Sequence, residues 1–252
     1  RIVTRAKDAT PQPFAFDDSS NLEISSPASS NIVTLGGLEP VVPTQIIVTS
    51  GISSVKINSG SPVYSGLVLT GDTIQMVGVS SSLYDKRLTT EVLVGTYSTT
   101  YSIITREADT SVDQFSFTNV INATPDVSYE SNSITLSGAD NNVEMDAIID
   151  GRGAFFKVQR VLPVVGLTTI KSYSNTSTVP FKVLNGDIIT LSLLSTTEYS
   201  TTNTCTLRIV GKSSTTSASY SVTTRVPIVD TIPDRFKFTD LNSVDRDKDY
   251  YS

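Results

Sequence analysis

Histidine is absent from all 252 residues, and cysteine occurs once, at Cys205. The first absence removes the commonest general base and the commonest transition-metal ligand together. The second rules out an internal disulfide, so any core must stand on packing alone. Cys205 sits in an alternation of Thr, Leu and Ile, which reads as a small buried hydrophobe rather than a reactive thiol. No apolar run approaches the roughly 20 residues of a membrane-spanning helix, and no apolar stripe of helical period competes anywhere. Positive charge is scarce as well: 19 Lys and Arg face 25 Asp and Glu, a net charge of −6 with a pI near 4.7. An acidic chain argues against nucleic-acid or anionic-membrane binding, which needs a basic face. Without histidine the many Ser and Thr have no obvious base to activate them. Asp150-Gly-Arg-Gly153 completes no phosphate- or dinucleotide-binding pattern. The expectation is a protein without catalytic residues, metal site or cofactor.

What is present is a signal that appears three times. Ile2-Val3-Thr4-Arg5 precedes Phe14-Ala-Phe16, Ile103-Ile104-Thr105-Arg106 precedes Phe115-Ser-Phe117, and Val222-Thr223-Thr224-Arg225 precedes Phe236-Lys-Phe238. Phe115 lies 101 positions after Phe14, and Phe236 lies 121 after Phe115. A period of that length is domain-sized rather than solenoid-sized. The expected organisation is residues 1–5 as the closing strand of a preceding repeat, 6–106 and 107–225 as two repeats, and 226–252 as the start of a third. Because the third copy stops where its next strand should begin, the expectation is a segment of a longer chain.

Between these anchors run short β-branched stretches punctuated by Gly, Pro, Asn and Asp, the pattern of an all-β sandwich. Strands are expected at Phe14–Phe16, Ile32–Leu35, Gln45–Thr49, around Val55–Ile57, at Thr73–Val79, Leu88–Val94 and Thr99–Thr105. The second repeat follows the same order: Ser131-Asn132 matches Ser30-Asn31, Gly186-Asp187 matches Gly71-Asp72, and Tyr199 matches Tyr84. The paired Phe residues read as core plugs. Tyr84 and Tyr199 stand where a tyrosine hydroxyl can pin a corner of the sandwich. Each Thr-Arg pair leaves a last strand, where the guanidinium fork can clamp carbonyls or a carboxylate. The Ser runs, such as Ser80-Ser81-Ser82, read as solvent-facing. Asp245-Arg-Asp-Lys-Asp249 has alternate acids but neither the turning Gly nor the closing Glu of a calcium loop, and reads as a solvated connector.

The repeats differ mainly in length: Gly37 to Gly71 spans 34 positions, Gly138 to Gly186 spans 48. The extra residues fall within 140–178, a tract containing Arg152, Phe155 and Phe156. Inserted loops commonly carry special contacts, so these three residues are candidates for interaction with a partner or neighbouring subunit; an added strand or hairpin is the plainer alternative. Phe236 and Phe238 are candidates for another reason, since an opening segment with nothing to close on exposes rings and unpaired backbone.

The Pro-x-x-Phe-x-Phe opening, the Ser-Asn strand, the Gly-Asp turn, the Ser-rich run ending in Tyr and the closing Thr-Arg together resemble the tandem immunoglobulin-like repeats of tailed-bacteriophage virion proteins. The second copy departs from the pattern in lacking the Pro and in carrying the long insert. The resemblance implies tandem immunoglobulin-like Greek-key β-sandwiches in a non-enzymatic virion part, such as a fibre, tail or baseplate component, or capsid decoration. Implied partners are other virion proteins or copies of the chain itself in a homo-oligomeric assembly, with host surface glycans or proteins as further candidates. Nucleic acid and membrane insertion are not expected. A prokaryotic cell-surface adhesin or extracellular filament subunit, and an accessory module of a carbohydrate-processing enzyme, are the rival expectations.

Overall fold

A computed structural model describes residues 8–174, 180–228, 230–235 and 237. The chain divides into two compact units, Arg1–Asp109 and Thr110–Ser252; we call them unit 1 and unit 2.

Unit 1 contains β1 (Ser19–Leu22), β2 (Pro27–Ser29), β3 (Val33–Thr34), β4 (Thr44–Ser50), β5 (Ser54–Ile57), β6 (Ser65–Val68), β7 (Thr73–Val79), β8 (Arg87–Val94) and β9 (Tyr97–Thr105). One sheet has the order β1-β9-β8-β4-β6, and the other is built on β7, flanked by β2, β3 and β5. The first strand lies parallel to the last, and the remaining pairs are antiparallel. The chain thus crosses repeatedly between the sheets, with β2–β3 and β8–β9 the consecutive strands that stay in one sheet, the Greek-key wiring of an immunoglobulin-like sandwich. Period-two alternation turns one face of each strand inward. Ile46, Val92, Val94 and Ile103 from the first sheet meet Val33, Val55, Ile74 and Met76 from the second in one core.

Unit 2 contains β10 (Val120–Ala123), β11 (Ser128–Glu130), β12 (Ile134–Thr135), β13 (Met145–Asp150), β14 (Ala154–Leu162), β15 (Gly166–Ser174), β16 (Phe181–Val183), β17 (Ile188–Leu194), β18 (Thr202–Val210) and β19 (Thr215–Thr224). Its sheets are β10-β19-β18-β13-β16 and β11-β17-β14-β15, with β12 also on β17. The wiring repeats that of unit 1, with β15 as the added strand. The insert is therefore a hairpin, β14 followed by β15. Both units are all-β immunoglobulin-like sandwiches.

The recurrent motifs turn out to be hydrogen-bonded ties at matching places. Ser30 Oγ accepts the Met76 N–H at 3.0 Å and donates to the Asn31 carbonyl at 2.7 Å. Ser131 Oγ does the same with Leu191 and Asn132, at 3.0 and 2.7 Å. The adjacent Asn31 and Asn132 accept the backbone N–H of Asp17 and Thr118, holding the Phe-x-Phe segment beside the sandwich. This explains two differences from the sequence reading. Phe14 to Phe16 is an extended segment held by Asn31, not a strand. The strand expected at Ile32–Leu35 shrinks to β3, because Ser30 interrupts the ladder between β2 and β3. The ring assignment stands: Phe16 and Phe117 are buried, each in edge contact with its neighbour, Phe14 or Phe115.

The corner expected from tyrosine is pinned by threonine. Thr105 Oγ1 accepts the Lys86 N–H at 2.9 Å and donates to the Leu83 carbonyl at 2.9 Å. Thr224 Oγ1 accepts the Thr201 N–H at 3.0 Å and donates to the Glu198 carbonyl at 2.7 Å. Tyr84 and Tyr199 instead offer their rings to the neighbouring arginines, with Arg106 and Arg225 lying 4.8 and 6.0 Å from the ring centroids. Arg106 also donates to Glu23 Oε1 at 2.7 Å and to the Glu107 carbonyl at 3.0 Å. Replacing the buried Thr224 by the isosteric Val removes the side-chain partner of both loop groups. We expect a loss of about 1–3 kcal/mol in urea unfolding, with faster amide exchange at Thr201; unchanged exchange there would remove the lock from the account.

Ser80 corrects the reading of the serine runs. It is buried, accepts the Ser26 N–H at 2.8 Å and donates to the Glu23 carbonyl at 2.6 Å. Ser195 repeats the tie in unit 2, to Val127 and Thr124.

Candidate interaction surface

The insert begins at a tight crossing. Gly151 has φ of +139°, and a Cβ there would lie 2.6 Å from Cys205 Cβ and 2.8 Å from its Cα. Gly51 makes the corresponding approach to Thr90 in unit 1. Both crossings let the chain pass from one sheet to the other directly over a strand, and a side chain would block them. Cys205 is thus the small residue beneath the crossing, buried and free. Burial pushes its thiol up to about 11, and burial likewise pushes the Tyr220 hydroxyl up to about 12. Both groups are neutral when folded at pH 7. Their raised values make folding less favourable once the unfolded groups ionise, at roughly 8.5 for Cys and 10 for Tyr. The stability they carry is complete below those values and is lost as pH rises through the folded ones. Unit 2 should accordingly resist thiol reagents at pH 8 and lose stability above about pH 9; rapid labelling of the folded chain at pH 8 would contradict the burial.

After the crossing, β14 alternates strictly from Ala154 to Val158. Ala154, Phe156 and Val158 are fully buried, whereas Phe155 is 40% exposed. Phe156 pairs with Leu191 across the ladder, and its ring lies 6.2 Å from that of Phe181. The two adjacent phenylalanines therefore have opposite roles. Phe156, an interaction candidate on sequence grounds, belongs to the core and is withdrawn from the contact surface. Phe155 faces outward beside β17, and Arg152 is exposed on the β13–β14 turn. Phe236 and Phe238 lie outside the described residues, as do Ile2–Thr4 and the alternating charges at 245–249.

Arg152 borders an open cleft of about 410 Å³, with Asp126 and Glu198 among the other lining residues. The hydroxyls of Ser195, Thr196 and Thr201 there are already committed. Thr196 and Thr201 bond each other and the Glu198 carbonyl. Asn203 Nδ2 donates to the carbonyls of Arg152 and Leu194, at 2.9 and 2.8 Å, strapping the turn to the end of β17. These bonds hold the loops around the cleft in place.

Farther along β14, Arg160 forms a bidentate pair with Asp187, at 2.7 Å for each bond. The Asp187 side chain is 1% exposed and that of Arg160 27%. Asp187 Oδ2 also accepts the Leu184 N–H at 2.9 Å. In unit 1 the equivalent Asp72 has Asn58 as its side-chain partner, at 2.7 Å, and accepts the Leu69 N–H. The Gly-Asp turn thus recurs, but in unit 2 its acid is neutralised by the insert. The bond to Asp187, with that carboxylate's charge, raises the Arg160 pKa against the cost of burial.

Beyond Arg160 the hairpin carries apolar side chains into solvent: Val164 is 95% exposed, and Val161, Val165 and Leu167 are 66, 65 and 54% exposed. Sequence reasoning located the tract but selected its aromatics; the signal available was the uncharged run Val161-Leu-Pro-Val-Val-Gly-Leu167. Among the described residues, no cluster of three or more His, Cys, Asp and Glu could hold a metal ion. Among the same residues, no helix is long and apolar enough to cross a membrane.

No protein-family model matches the chain, and no curated protein matches it. Among solved structures it is similar to the titin domains Z1Z2 in complex with telethonin, at 11% identity over 90% of this chain and 100% of that one, with a TM-score of 0.43. The CupB6 tip adhesin of Pseudomonas aeruginosa is similar at 7% identity over 83% of this chain and 96% of that one, TM-score 0.38. An endo-fucoidan hydrolase of glycoside hydrolase family 107 is similar at 14% identity over 90% of this chain and 30% of the enzyme, TM-score 0.27. At these values the likenesses assign no family, and the sandwich assignment rests on the strand order above.

Proposed function

We propose that the chain is a non-enzymatic structural and adhesion module, a run of immunoglobulin-like spacers on the surface of a tailed-bacteriophage virion. Residues 6–106 and 107–225 act as successive repeats, with 1–5 closing a preceding repeat and 226–252 opening a third. One observation carries the reading: the residues that recur between the units are committed to structural ties. Ser30 and Ser131, Asn31 and Asn132, Ser80 and Ser195, and Thr105 and Thr224 all hold loops or segments in place. Repetition therefore preserves a scaffold, and individuality is confined to what each repeat adds, here the β14–β15 hairpin. A scaffold of that kind spaces and presents contact surfaces to other virion proteins, to copies of itself or to a host surface. The net charge of −6 keeps such a surface well hydrated and repels nucleic acid.

Mass spectrometry of purified particles tests the proposal. The chain should be recovered from virions in stoichiometric amounts. Its absence from particles, together with release from intact cells by surface proteolysis, would overturn the virion assignment in favour of a prokaryotic cell-surface adhesin or filament subunit.

A further inference from the structure

The cleft bordered by Arg152 lies at the end of unit 2 where β19 finishes, among the loops that Thr224 locks. At about 410 Å³ it falls within the roughly 300–1,000 Å³ of small-ligand sites. Its frame is tied down. Ser195 joins the loop after β10 to the end of β17, and Asn203 straps the Arg152 turn to Leu194. What the frame leaves free is polar. Among the described residues, no hydrogen bond or ion pair engages the side chains of Asp126, Arg152, Thr197 or Glu198, and all four are exposed.

Unit 1 builds the same end from different residues. Ser25 donates its N–H to Ser81 as Asp126 does to Thr196. The Leu83 carbonyl accepts from Thr105 as that of Glu198 does from Thr224. Ile52 follows its crossing glycine as Arg152 follows Gly151. Ile52 and Leu83 are 55 and 60% exposed, so unit 1 presents two apolar side chains where unit 2 presents a guanidinium and a carboxylate. The scaffold does not require these charges, since the same ties form without them.

The lining also selects its ligand. Among the described residues around the cleft, Leu194 alone is apolar, too little for an apolar molecule. Two carboxylates against one guanidinium repel a polyanion. No cluster suited to a metal ion occurs among the described residues. Ion pairs formed in open water contribute little net free energy, which disfavours a small zwitterion held by charge alone. Hydrogen bonds to ionised groups are stronger than neutral ones, and a molecule rich in hydroxyls makes many at once. Carboxylates accept from adjacent hydroxyls, and a guanidinium fork donates to their oxygens.

We propose that the cleft binds a neutral sugar of one or two rings, with Asp126 and Glu198 accepting from its hydroxyls and Arg152 and Thr197 donating to its oxygens. The inference rests on the adhesion reading above and names the ligand class through which a surface is held. One open cleft binds weakly; repeats carried in many copies hold a glycan-coated surface by summing such contacts.

NMR titration of the 15N-labelled 252-residue chain tests this, with maltose, cellobiose, lactose and N,N′-diacetylchitobiose as probes. At least one should shift the amides of Asp126, Arg152 and residues 196–203, with a dissociation constant on the order of 1–10 mM, and leave Ser25, Ile52 and Leu83 unmoved. Arg152→Met, and separately the double substitution Asp126→Asn, Glu198→Gln, alter exposed side chains that make no internal bond. Tm should therefore hold while affinity falls more than about fivefold in each. No shift with any of the four sugars overturns the proposal, as do shifts spread over both units or affinity indifferent to both variants. A stronger response to glycine or to N-acetylneuraminic acid than to the neutral sugars overturns it too, since that assigns the cleft to a charged ligand. Recovery of the chain from virions without sugar binding sinks this inference alone. Sugar binding by a chain absent from particles leaves the site standing and removes the virion assignment.

Discussion

Truncating Phe156 to alanine is expected to destabilise unit 2 by about 3–5 kcal/mol, while Phe155→Ala changes stability by less than about 1 kcal/mol. The two residues are neighbours in sequence and chemically identical, so the contrast isolates position. Phe156 is fully buried against Leu191, Phe181 and their neighbours, in a core that has no disulfide to compensate for a cavity. Deleting its ring forfeits both transfer free energy and packing contacts, because the surrounding strands are fixed by their ladders and collapse little. Phe155 already keeps two-fifths of its surface in water. Urea unfolding followed by tyrosine fluorescence, the chain having no Trp, measures both variants. Equal costs would show that the inward and outward faces of β14 are misassigned.

Arg160→Met is expected to cost about 3–5 kcal/mol by a different route. Asp187 is buried almost completely, and removing the guanidinium leaves its charge with the Leu184 N–H but without its cation. The penalty is that of an uncompensated buried ion rather than the net worth of the pair, so adding Asp187→Asn should restore a large part of the loss. A Lys at this position should recover less than full stability, because a single ammonium cannot reproduce the bidentate fork. Loss of the pair should also loosen the β14–β15 hairpin, and amide exchange from Arg160 to Thr169 should accelerate beyond that elsewhere in unit 2. If Arg160→Met and the double variant are equally destabilised, the pair does not act through buried charge. The matching experiment in unit 1, Asn58→Ala, removes a neutral donor from Asp72 and should cost less, about 1–2 kcal/mol.

Much of the fold could be read directly from residue order. Thr73–Val79 emerges as β7 with those bounds, and Leu88–Val94 and Thr99–Thr105 fall within β8 and β9, because strict alternation of β-branched and polar residues leaves one pairing face buried. The insert could be located by comparing Gly-to-Gly spacings, since glycine marks turns whose backbone conformation both copies need. The character of Cys205 was legible too, its alternating neighbours placing it on an inward face. A segment such as Phe14–Phe16 misled the same reasoning. Alternation there is real, yet its backbone is held by Asn31 rather than by a ladder, and a period of two does not distinguish the cases.

The tertiary structure alone decided matters that depend on which distant groups meet. Phe155 and Phe156 are equally apolar, so periodicity says that they face opposite ways but not which faces inward; the register with β17 settles that. Ser80 is chemically the same as Ser81, and it is buried because it reaches the Glu23 carbonyl, 57 positions away. Thr105 and Thr224 were legible as a recurrent pair with Arg, yet their role as locks depends on loops returning to lie beside them. The joining of Arg160 to Asp187 and the projection of the β14–β15 hairpin beyond β17 likewise follow from where strands end in space. Local alternation specifies faces because it acts between near neighbours, whereas hydrogen bonds, ion pairs and sheet edges are set by chain segments that folding brings together.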